Sequence, residues 1–336
     1  MANIPEYNEI SDLAIDRPHV VILGAGASRA AFPDGEANGK QLPLMDDLVK
    51  TLNLVPIILR YGITYANENF EQLYSAIHDS GNEILAAALE KHVYEYFDSL
   101  ELPPWPTLYD HLVLSLRGKD LIATFNWDPL LWQALIRNKH IASLPQAVFL
   151  HGSVSIGYCR HHRGYGPKGH NCPNCSRRYD DAKLLYPVTR KGYSDDSFIG
   201  SQWDTLRSCL EDAYVLTIFG YSAPSSDAEA IQLMKEAWGP PGKRGLEQIE
   251  IIDRKEEDEL RETWKPFICE QHYGTTKSFY DSWIAKHPRR SCEAVWGEKM
   301  EMVDFVDDQG LPLEKEWHIL LDWLRPRLDN EKAKPE

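Results

Sequence analysis

Five short apolar runs alternate with helical patterns along this 336-residue chain, and that alternation limits the folds it can adopt. The runs cover residues 19–23, 121–124, 147–150, 214–219 and 249–253. Runs of this length are typical of buried strands, and strands that alternate with helices form parallel sheets. Four of the five end in a polar or glycine-rich turn, and such sheets bind ligands at the carboxyl ends of their strands. The sequence therefore predicts an α/β fold with one crevice where these turns meet.

The first run leads directly into a turn of small residues, Gly24-Ala25-Gly26-Ala27-Ser28. Glycines in such a turn let backbone N–H groups approach a phosphate closely, and a following helix N-terminus favours negative charge. A strand–loop–helix corner without a ligand explains the same residues equally well. The turn is therefore a candidate anion site that needs support from elsewhere in the chain.

Helical periodicity dominates residues 44–60 and 69–100, where apolar residues recur every three or four positions. Prolines at 103, 104 and 106 then end the pattern. Residues 264–324 are rich in aromatic side chains and are predicted to be mostly helical, whereas 325–336 are predicted to form a solvated tail.

Cysteine and histidine residues are concentrated between residues 158 and 179. Cys159 and His162 form one pair with two residues between them, Cys172 and Cys175 form another, and nine residues separate the pairs. This is the ligand spacing of a tetrahedral zinc site, and four protein ligands favour a structural site. The glycine-rich segment between the pairs has few apolar residues, so metal binding would supply the free energy that orders it.

Two choices remain open within this cluster. The Cys-x-x-Cys pair is also compatible with a redox centre or a disulfide, and His161 can replace His162 as a ligand, with His170 as a spare. The remaining cysteines, Cys209, Cys269 and Cys292, are scattered and are interpreted as thiols without a function.

Charge and hydropathy exclude several classes of protein. With 51 acidic and 36 basic residues the net charge is −15, which argues against a broad surface for nucleic acid or anionic membranes. No apolar run approaches the roughly 18–20 residues of a membrane helix. Residues 1–16 are polar and acidic and have no signal-like apolar core. We therefore expect a cytoplasmic protein that binds neither nucleic acid nor membrane directly.

A set of motifs in a fixed order carries a family resemblance. They are the turn at 24–28, Thr-Phe-Asn-Trp-Asp at 124–128, Leu-His-Gly-Ser at 150–153, the cysteine cluster, and the segments 219–224 and 251–253. In this order the chain resembles the divergent sirtuin-like superfamily, nearest the bacterial antiphage NAD-hydrolase branch, over about residues 18–255.

The resemblance implies a Rossmann-like parallel sheet that binds NAD, with a helical insertion and a small zinc-ribbon module. The corresponding ranges are 18–34 with 105–155 and 200–260 for the NAD-binding domain, 40–104 for the insertion, 156–190 for the zinc module, and 261–326 for a mostly helical C-terminal region.

The resemblance also assigns roles to individual residues. Asn126 and Asp128 would lie beside the nicotinamide ribose and carboxamide, and His151 would be the general base. The remaining contacts would be Gly24, Ala25, Gly26 and Ser28 to the pyrophosphate, Gly220, Tyr221 and Ser222 to the adenosine half, and Asp253 to the ribose or adenine.

These residue types suit cleavage of a glycosidic bond, but each has a simpler explanation. An amide can hold a ribose hydroxyl, a carboxylate can stabilise a developing positive charge, and an imidazole can accept a proton near neutral pH. Alternatively, Asn126 and Asp128 cap a helix and His151 is a structural residue. Ser222 and Asp227 can likewise be the turn and cap of the next helix.

Two departures from the deacylase sirtuins bear on the reaction. Their glycine loop continues as Gly-Ile-Pro-x-Phe-Arg, whereas this chain has Phe32-Pro33 with no arginine in register. Their peptide-binding Val-Phe-Gly-Glu strand is replaced by residues 186–192, Tyr-Pro-Val-Thr-Arg-Lys-Gly. Water is then the available nucleophile, and hydrolysis of NAD to ADP-ribose and nicotinamide is the expected reaction. The alternatives are a protein deacylase or ADP-ribosyltransferase, and a non-catalytic regulatory subunit that binds NAD or ADP-ribose.

Control of such an activity is expected, because a constitutive NAD hydrolase would exhaust its host. We expect a homo-oligomer and a partner protein of a defence system, such as an ATPase, a nuclease or an Argonaute-like subunit. The choice between NAD and NADP stays open, since Asp253 disfavours an extra phosphate while Arg254 favours it.

Overall fold

The computed structural model describes residues 9–64, 69–188, 192–193, 196–240, 244–268, 272–303 and 310–333. Its strands are β1 His19–Leu23, β2 Leu121–Thr124, β3 Gln146–Phe149, β4 Ile156–Cys159, β5 Gly164–Pro167, β6 Asp180–Asp181, β7 Val215–Phe219, β8 Gln248–Ile252 and β9 Tyr273–Thr276. Six of them form one sheet in the order β3-β2-β1-β7-β8-β9. Every neighbouring pair in this sheet is parallel, which confirms the predicted α/β fold.

Burial explains why the five predicted strands form the body of this sheet. Each residue of β1, β2, β7 and β8 is buried, as expected for parallel strands covered on both faces. The sequence placed all five runs correctly, with ends that differ from the structure by one residue in three cases.

The sixth strand, β9, was not predicted. Its sequence is Tyr-Gly-Thr-Thr, and all four residues are only half-buried because β9 pairs on one side alone, with β8. An edge strand of this composition leaves no apolar run for sequence reasoning to find. Residues 273–276 therefore extend the sheet within the C-terminal region, whose other regular elements are helices.

The helices are α1 Ala25–Ala31, α2 Leu48–Thr51, α3 Val55–Arg60, α4 Phe70–Asp79, α5 Glu83–Asp98, α6 Leu108–Leu114, α7 Leu130–Asn138, α8 Ser197–Asp212, α9 Ala228–Trp238, α10 Glu257–Trp264, α11 Trp283–Lys286, α12 Ser291–Met300 and α13 Trp317–Ala333. The predicted helical stretch 69–100 is divided at Gly81, whose φ of 71° is a left-handed conformation that ends a helix. Among the described helices, none combines the length and apolar character needed to cross a bilayer.

Helix α13 corrects the prediction of a solvated tail. It continues to Ala333, and Leu324 and Arg327 on it are buried. Glu331 near its end forms ion pairs with Arg289 and Arg290 at 2.6 and 2.7 Å. Residues 325–333 therefore pack onto the body of the protein, while 334–336 lie outside the described residues.

Candidate functional site

A cavity of about 570 Å³ opens at the carboxyl edge of the six-stranded sheet. Because all six strands point the same way, each one delivers the residues that follow it to this edge. The structure brings all eleven predicted catalytic and dinucleotide-binding residues to its wall: Gly24, Ala25, Gly26, Ser28, Asn126, Asp128, His151, Gly220, Tyr221, Ser222 and Asp253.

Glycines at the ends of β1 and β7 allow the two central turns to pack against each other. A Cβ atom on Gly24 would lie 2.5 Å from the Gly220 carbonyl oxygen, and one on Gly220 would lie 2.2 Å from the Ala27 nitrogen. Gly220 also has a φ of 62°, which is costly for other residues. The Gly26 N–H donates to the Gly220 carbonyl at 2.9 Å and holds the two turns together.

This packing uses backbone groups that were predicted to bind phosphate. Gly24 N donates to Phe219 O at 3.0 Å, Gly26 N donates to Gly220 O, and Ala27 N donates to Gly24 O at 3.0 Å. Three amides of the turn are therefore already committed, and in this conformation the turn offers a ligand fewer N–H groups than predicted.

A buried polar chain lies directly behind the glycine turn. Ser28 Oγ donates to Asp128 Oδ2 at 2.7 Å and lies 2.6 Å from the hydroxyl oxygen of Tyr109. Asn126 Nδ2 donates to the same Ser28 oxygen at 2.9 Å. All four side chains are less than a tenth exposed, so they form one desolvated network that joins α1, α6 and the turn after β2.

The orientation of the Asn126 amide is fixed by its neighbours. Nδ2 lies 2.9 Å from the Gly24 carbonyl oxygen, which can only accept a hydrogen bond, so the atom at this position must be the NH₂ group. Its two hydrogens are directed to Gly24 and Ser28. The Oδ1 atom is therefore the part of the amide that can accept a hydrogen bond from a ligand. Asn126 does not cap a helix with its side chain, so that alternative is wrong.

Asp128 serves both the polar chain and the following helix. Its Oδ1 accepts from Leu130 N at 3.1 Å, at the start of α7, while its Oδ2 accepts from Ser28. Burial raises the pKa of Asp128 above its ordinary value, and these hydrogen bonds oppose that shift. The carboxylate is thus confined and oriented at the edge of the cavity.

His151, two residues beyond β3, is held by aromatic and acidic neighbours. Its ring meets Phe125 edge to face at a centroid distance of 4.8 Å. Its Nε2 lies 3.1 Å from the Tyr193 hydroxyl and 3.7 Å from Asp227 Oδ1. The Asp227 carboxylate would stabilise the imidazolium that forms if His151 accepts a proton.

Tyr221, predicted to contact the adenosine half of the ligand, shares two neighbours with His151. Its ring stacks on Phe125 at 4.1 Å with an interplanar angle of 3°. Its hydroxyl donates to Asp227 Oδ2 at 2.8 Å. Asp227 itself, predicted only as a possible cap of α9, makes no capping hydrogen bond with its side chain and joins Tyr221 and His151 instead.

The opposite end of the cavity, beyond β8, carries charges of both signs. Asp253 follows β8 and accepts a hydrogen bond from Lys255 N at 3.0 Å. Lys255 and Lys277 line the cavity and form ion pairs with Glu259 and Glu256, respectively. This end is polar and accessible, in contrast to the buried Asn126 and Asp128.

The helical insertion contributes part of the cavity wall. Residues 42–46 and Glu71 contribute to the wall, together with Phe97 from α5. Arg29 of α1 also lines the cavity, and its guanidinium binds the Leu42 carbonyl and the Asp47 carboxylate. The insertion is thereby attached to the glycine turn.

The predicted metal ligands form a second, separate cluster. Strands β4, β5 and β6 make a small antiparallel sheet, and the ligand atoms of Cys159, His162, Cys172 and Cys175 all lie within 4.8 Å of one another. Cys159 Sγ lies 3.7 Å from Cys175 Sγ and 3.8 Å from His162 Nδ1.

This donor set fits zinc. Zinc–sulfur bonds of about 2.3 Å and zinc–nitrogen bonds of about 2.0 Å place tetrahedral ligands roughly 3.5–3.8 Å apart, and the distances of 3.7 and 3.8 Å from Cys159 Sγ agree with this. The structure also selects His162, because His161 contacts Arg177 outside the cluster. A three-cysteine, one-histidine site compatible with zinc is therefore present between residues 159 and 175.

Sequence reasoning missed two residues of the site and gave a third the wrong task. Tyr109 and Tyr193 have no local motif around them, because α6 and the segment before α8 bring them to the site through tertiary packing. Asp227 was named only as a cap. Cys269, predicted to be a thiol without a function, lies outside the described residues.

No protein-family model matches the sequence, and no curated protein matches it either. Solved structures of Sir2 proteins do match. One, described as the structural basis for the mechanism and regulation of Sir2 enzymes, is 14% identical, covers 83% of this chain and 94% of that chain, and has a TM-score of 0.44. A Sir2 homologue mutant bound to ADP-ribose is 12% identical, covers 98% and 97%, and has a TM-score of 0.37. A Sir2 homologue bound to NAD is 15% identical, covers 85% and 93%, and also has a TM-score of 0.37.

Sequence identities of 12–15% with TM-scores of 0.37–0.44 do not indicate the activity of this protein. The molecule's own features define its class: an α/β protein with a six-stranded parallel sheet, a polar cavity at the strand ends, and a cluster compatible with zinc.

Proposed function

We propose that this protein is a sirtuin-like enzyme that binds NAD in the strand-end cavity and hydrolyses it to ADP-ribose and nicotinamide. The observation that carries the proposal is the joint position of Asn126, Asp128 and His151 on one cavity wall. These residues bring an amide, a carboxylate and an imidazole to one cavity, the groups that cleavage of a ribosyl bond requires.

Each group has a defined task in the proposed reaction. The bond from the ribose C1′ to the nicotinamide nitrogen breaks, and its electron pair neutralises the pyridinium nitrogen of the leaving nicotinamide. The Asp128 carboxylate stabilises the positive charge that develops on the ribose, while Asn126 Oδ1 accepts a hydrogen bond from a ribose hydroxyl. His151 takes the proton of the water whose oxygen forms the new bond to C1′.

Two features support water as the nucleophile. The sequence has neither the arginine in register after the glycine turn nor the peptide-binding strand signature of deacylase sirtuins. The nearby Arg29 is occupied with Leu42 and Asp47 and serves to attach the insertion. The stretch that replaces the peptide strand, 186–192, lies partly outside the described residues.

The cluster of Cys159, His162, Cys172 and Cys175 would hold a structural zinc ion. All four positions would be filled by protein ligands, so the ion would stabilise the small antiparallel sheet and leave no coordination site for a substrate. The ligands are separate from the strand-end cavity, since none of them lines it.

We further propose that the enzyme is a regulated effector of antiphage defence. The order of its motifs supports this, as does the physical requirement that NAD hydrolysis be restrained until it is needed. Control through self-association or a partner protein predicts an oligomer, and light scattering after size-exclusion chromatography tests that. A monomer under all conditions, including activating ones, would exclude self-association as the control.

Turnover of NAD by the purified protein tests the reaction. The wild-type protein is mixed with NAD, with and without an acetylated peptide, and released nicotinamide is measured. We expect release that does not depend on the peptide and that falls by at least about a thousandfold in Asn126→Ala and His151→Ala. His92→Ala, at an exposed position of α5 that does not line the cavity, is the matched control and should retain activity within a few-fold.

The alternatives predict different results. Release that requires the peptide, with acetyl or ADP-ribosyl transfer, would identify a deacylase or ADP-ribosyltransferase. Tight binding of NAD or ADP-ribose without turnover, even in an assembled or activated sample, would identify a regulatory binding subunit and refute hydrolysis.

A further inference from the structure

Tyr109 belongs to the polar chain but does not line the cavity. Its side chain is 1% exposed, and it reaches the site only through Ser28 and Asn126. We propose that Tyr109 is a positioning residue: its hydroxyl donates to Ser28 Oγ and thereby directs the Ser28 proton to Asp128. This inference rests on the proposed function, because it assigns Tyr109 a role in the same reaction.

The direction of the hydrogen bonds follows from counting protons. The Ser28 hydroxyl has one hydrogen, and with Asp128 ionised that hydrogen is donated to Asp128 Oδ2 at 2.7 Å. The oxygen of Ser28 can then only accept from its other neighbours. Asn126 Nδ2 occupies one lone pair at 2.9 Å, and the Tyr109 hydroxyl occupies the other at 2.6 Å. Tyr109 must therefore be the donor.

This arrangement leaves Ser28 with no freedom to turn its proton elsewhere. One donated and two accepted hydrogen bonds exhaust the capacity of a hydroxyl group. Hydrogen bonds in a buried chain also polarise one another, so donation from Tyr109 makes Ser28 a stronger donor to Asp128. If the Tyr109 hydroxyl is removed, Ser28 keeps an open lone pair in a desolvated site and its hold on the carboxylate weakens.

The ring of Tyr109 is held in place by the scaffold. It packs against Phe32 at a centroid distance of 6.0 Å. Its helix, α6, begins with a capping box between Thr107 and Asp110. Asp110 also accepts a hydrogen bond from Asn138 Nδ2 at 2.7 Å, which ties α6 to α7. Since α7 begins just after Asp128, the two ends of the polar chain, Tyr109 and Asp128, are held by two helices that are bonded to each other.

The consequence for the reaction concerns the charge of Asp128. Burial raises the pKa of this carboxyl, and the hydrogen bond from Ser28 opposes the shift. A weaker Ser28 donor therefore raises the pKa further, so that the carboxylate is lost at a higher pH. The acidic limb of the pH–rate profile should move upward when Tyr109 loses its hydroxyl.

Tyr109→Phe removes the hydroxyl and keeps the ring. We expect kcat for NAD to fall by about tenfold, the loss expected for one buried hydrogen bond, while KM changes by less than about threefold. The acidic limb of the profile should shift upward by about half a pH unit or more. Tyr280→Phe is the matched control, because Tyr280 also binds α6, through His111 Nδ1 at 2.9 Å, but lies outside the polar chain.

A direct titration of Asp128 separates this inference from the proposed function. Infrared difference spectra against Asp128→Asn report the carboxyl titration whether or not the protein turns over NAD. If wild type is inactive in every state but the Asp128 titration shifts upward in Tyr109→Phe, the reaction is refuted and the role of Tyr109 stands. A fluorinated tyrosine at position 109, which donates more strongly, should shift the titration downward and serves if Tyr109→Phe does not fold.

Two results would overturn the inference. One is a titration of Asp128 that is unchanged in both the phenylalanine and the fluorotyrosine variants. The other is an equal loss of activity in Tyr109→Phe and Tyr280→Phe with no change in either pH profile, which would assign both hydroxyls to the stability of α6.

Discussion

At the scale of single residues, the site depends on positions where backbone meets backbone. Gly24 and Gly26 follow β1, Gly220 follows β7, and each lies where a Cβ atom would collide with the neighbouring turn. The same close contact commits the Gly26 amide to the Gly220 carbonyl. These glycines therefore shape the cavity floor, and contact with a ligand is secondary to that structural role.

Gly220→Ala should destabilise the protein by about 2–5 kcal/mol, because it adds a methyl group 2.2 Å from Ala27 N and imposes a left-handed φ on a residue with a Cβ. Gly81→Ala is the matched control. Gly81 has a φ of 71° but no atom within 4 Å of the position that the added methyl group would take, so only the backbone cost of about 1–2 kcal/mol remains. Denaturant unfolding measures both, and equal losses would show that crowding at Gly220 is unimportant.

The residues of the site differ in how far the sequence predicts their positions. Asn126, Asp128 and His151 follow recognisable strands, and the carboxyl edge of a parallel sheet brings such positions together. Tyr109 and Tyr193 carry no such signal, since their places depend on tertiary packing. The sequence also did not predict that three amides of the turn already form hydrogen bonds within the fold, because these bonds depend on the distance between β1 and β7.

At the scale of elements, burial on both faces is what made strands visible in the sequence. The central strands β1, β2, β7 and β8 are buried throughout and read as apolar runs. The edge strand β9 is half-buried and carries glycine and threonine, so its pairing with β8 became apparent only in the structure. The zinc ligands were predictable for a different reason, because metal geometry fixes their spacing in sequence.

A buried acid in β8 should make stability depend on pH. Burial raises the pKa of Glu250 from 4.5 to about 7, although Trp283 N and the Thr217 hydroxyl donate to the carboxyl. The folded protein therefore binds this proton more tightly than the unfolded chain, and its stability falls as the pH rises from about 4.5 to 7. Glu250→Gln should remove this loss, so its stability relative to wild type should rise by about 3 kcal/mol between pH 4.5 and pH 8.

The prediction compares Glu250→Gln with wild type because His19 changes the stability of both proteins with pH in the opposite direction. Burial lowers the pKa of His19 from 6.5 to about 3, so its contribution to stability is lost as the pH falls below 6.5. The two residues are linked through Thr217, which bonds both. Asp258→Asn, at an exposed position of α10, is the control and should show no such trend. A Glu250→Gln difference that does not change with pH would contradict the assignment.

The zinc cluster predicts that the small antiparallel sheet of β4, β5 and β6 needs a bound metal for its stability. The purified protein should contain about one zinc ion per chain, and Cys172→Ser should lose it, because a buried ligand of the tetrahedral set is replaced. Cys209→Ser, a cysteine of α8 outside the cluster, should retain the metal. Metal analysis and Tm with and without a chelator measure both. Equal metal content in the two variants would refute the assigned ligands.

At the scale of the whole molecule, the two ends of the described chain are joined through one buried polar region. Arg290 donates to the Ile10 carbonyl at 2.9 Å, and His287 lies 3.0 Å from Glu9. Arg289 donates to the Leu116 carbonyl at 2.7 Å, after α6. The C-terminal helix completes this region with Glu331, so α13 stabilises the same part of the molecule that positions Tyr109.

Glu331 is the counter-charge for two arginines whose side chains are 0% exposed. Burial alone would raise its pKa, but the guanidinium groups of Arg289 and Arg290 outweigh burial and hold the pKa below its usual value. Glu331→Gln leaves both cations without that charge and should cost about 3–5 kcal/mol in unfolding free energy at pH 7. Because the lowered pKa stabilises the fold only while Glu331 is ionised, the difference should shrink as the pH falls below about 4.5. Asp329→Asn, on an exposed face of the same helix, should change stability by less than about 0.5 kcal/mol. If the two variants unfold alike at pH 7, residues 325–333 behave as the solvated tail that the sequence predicted.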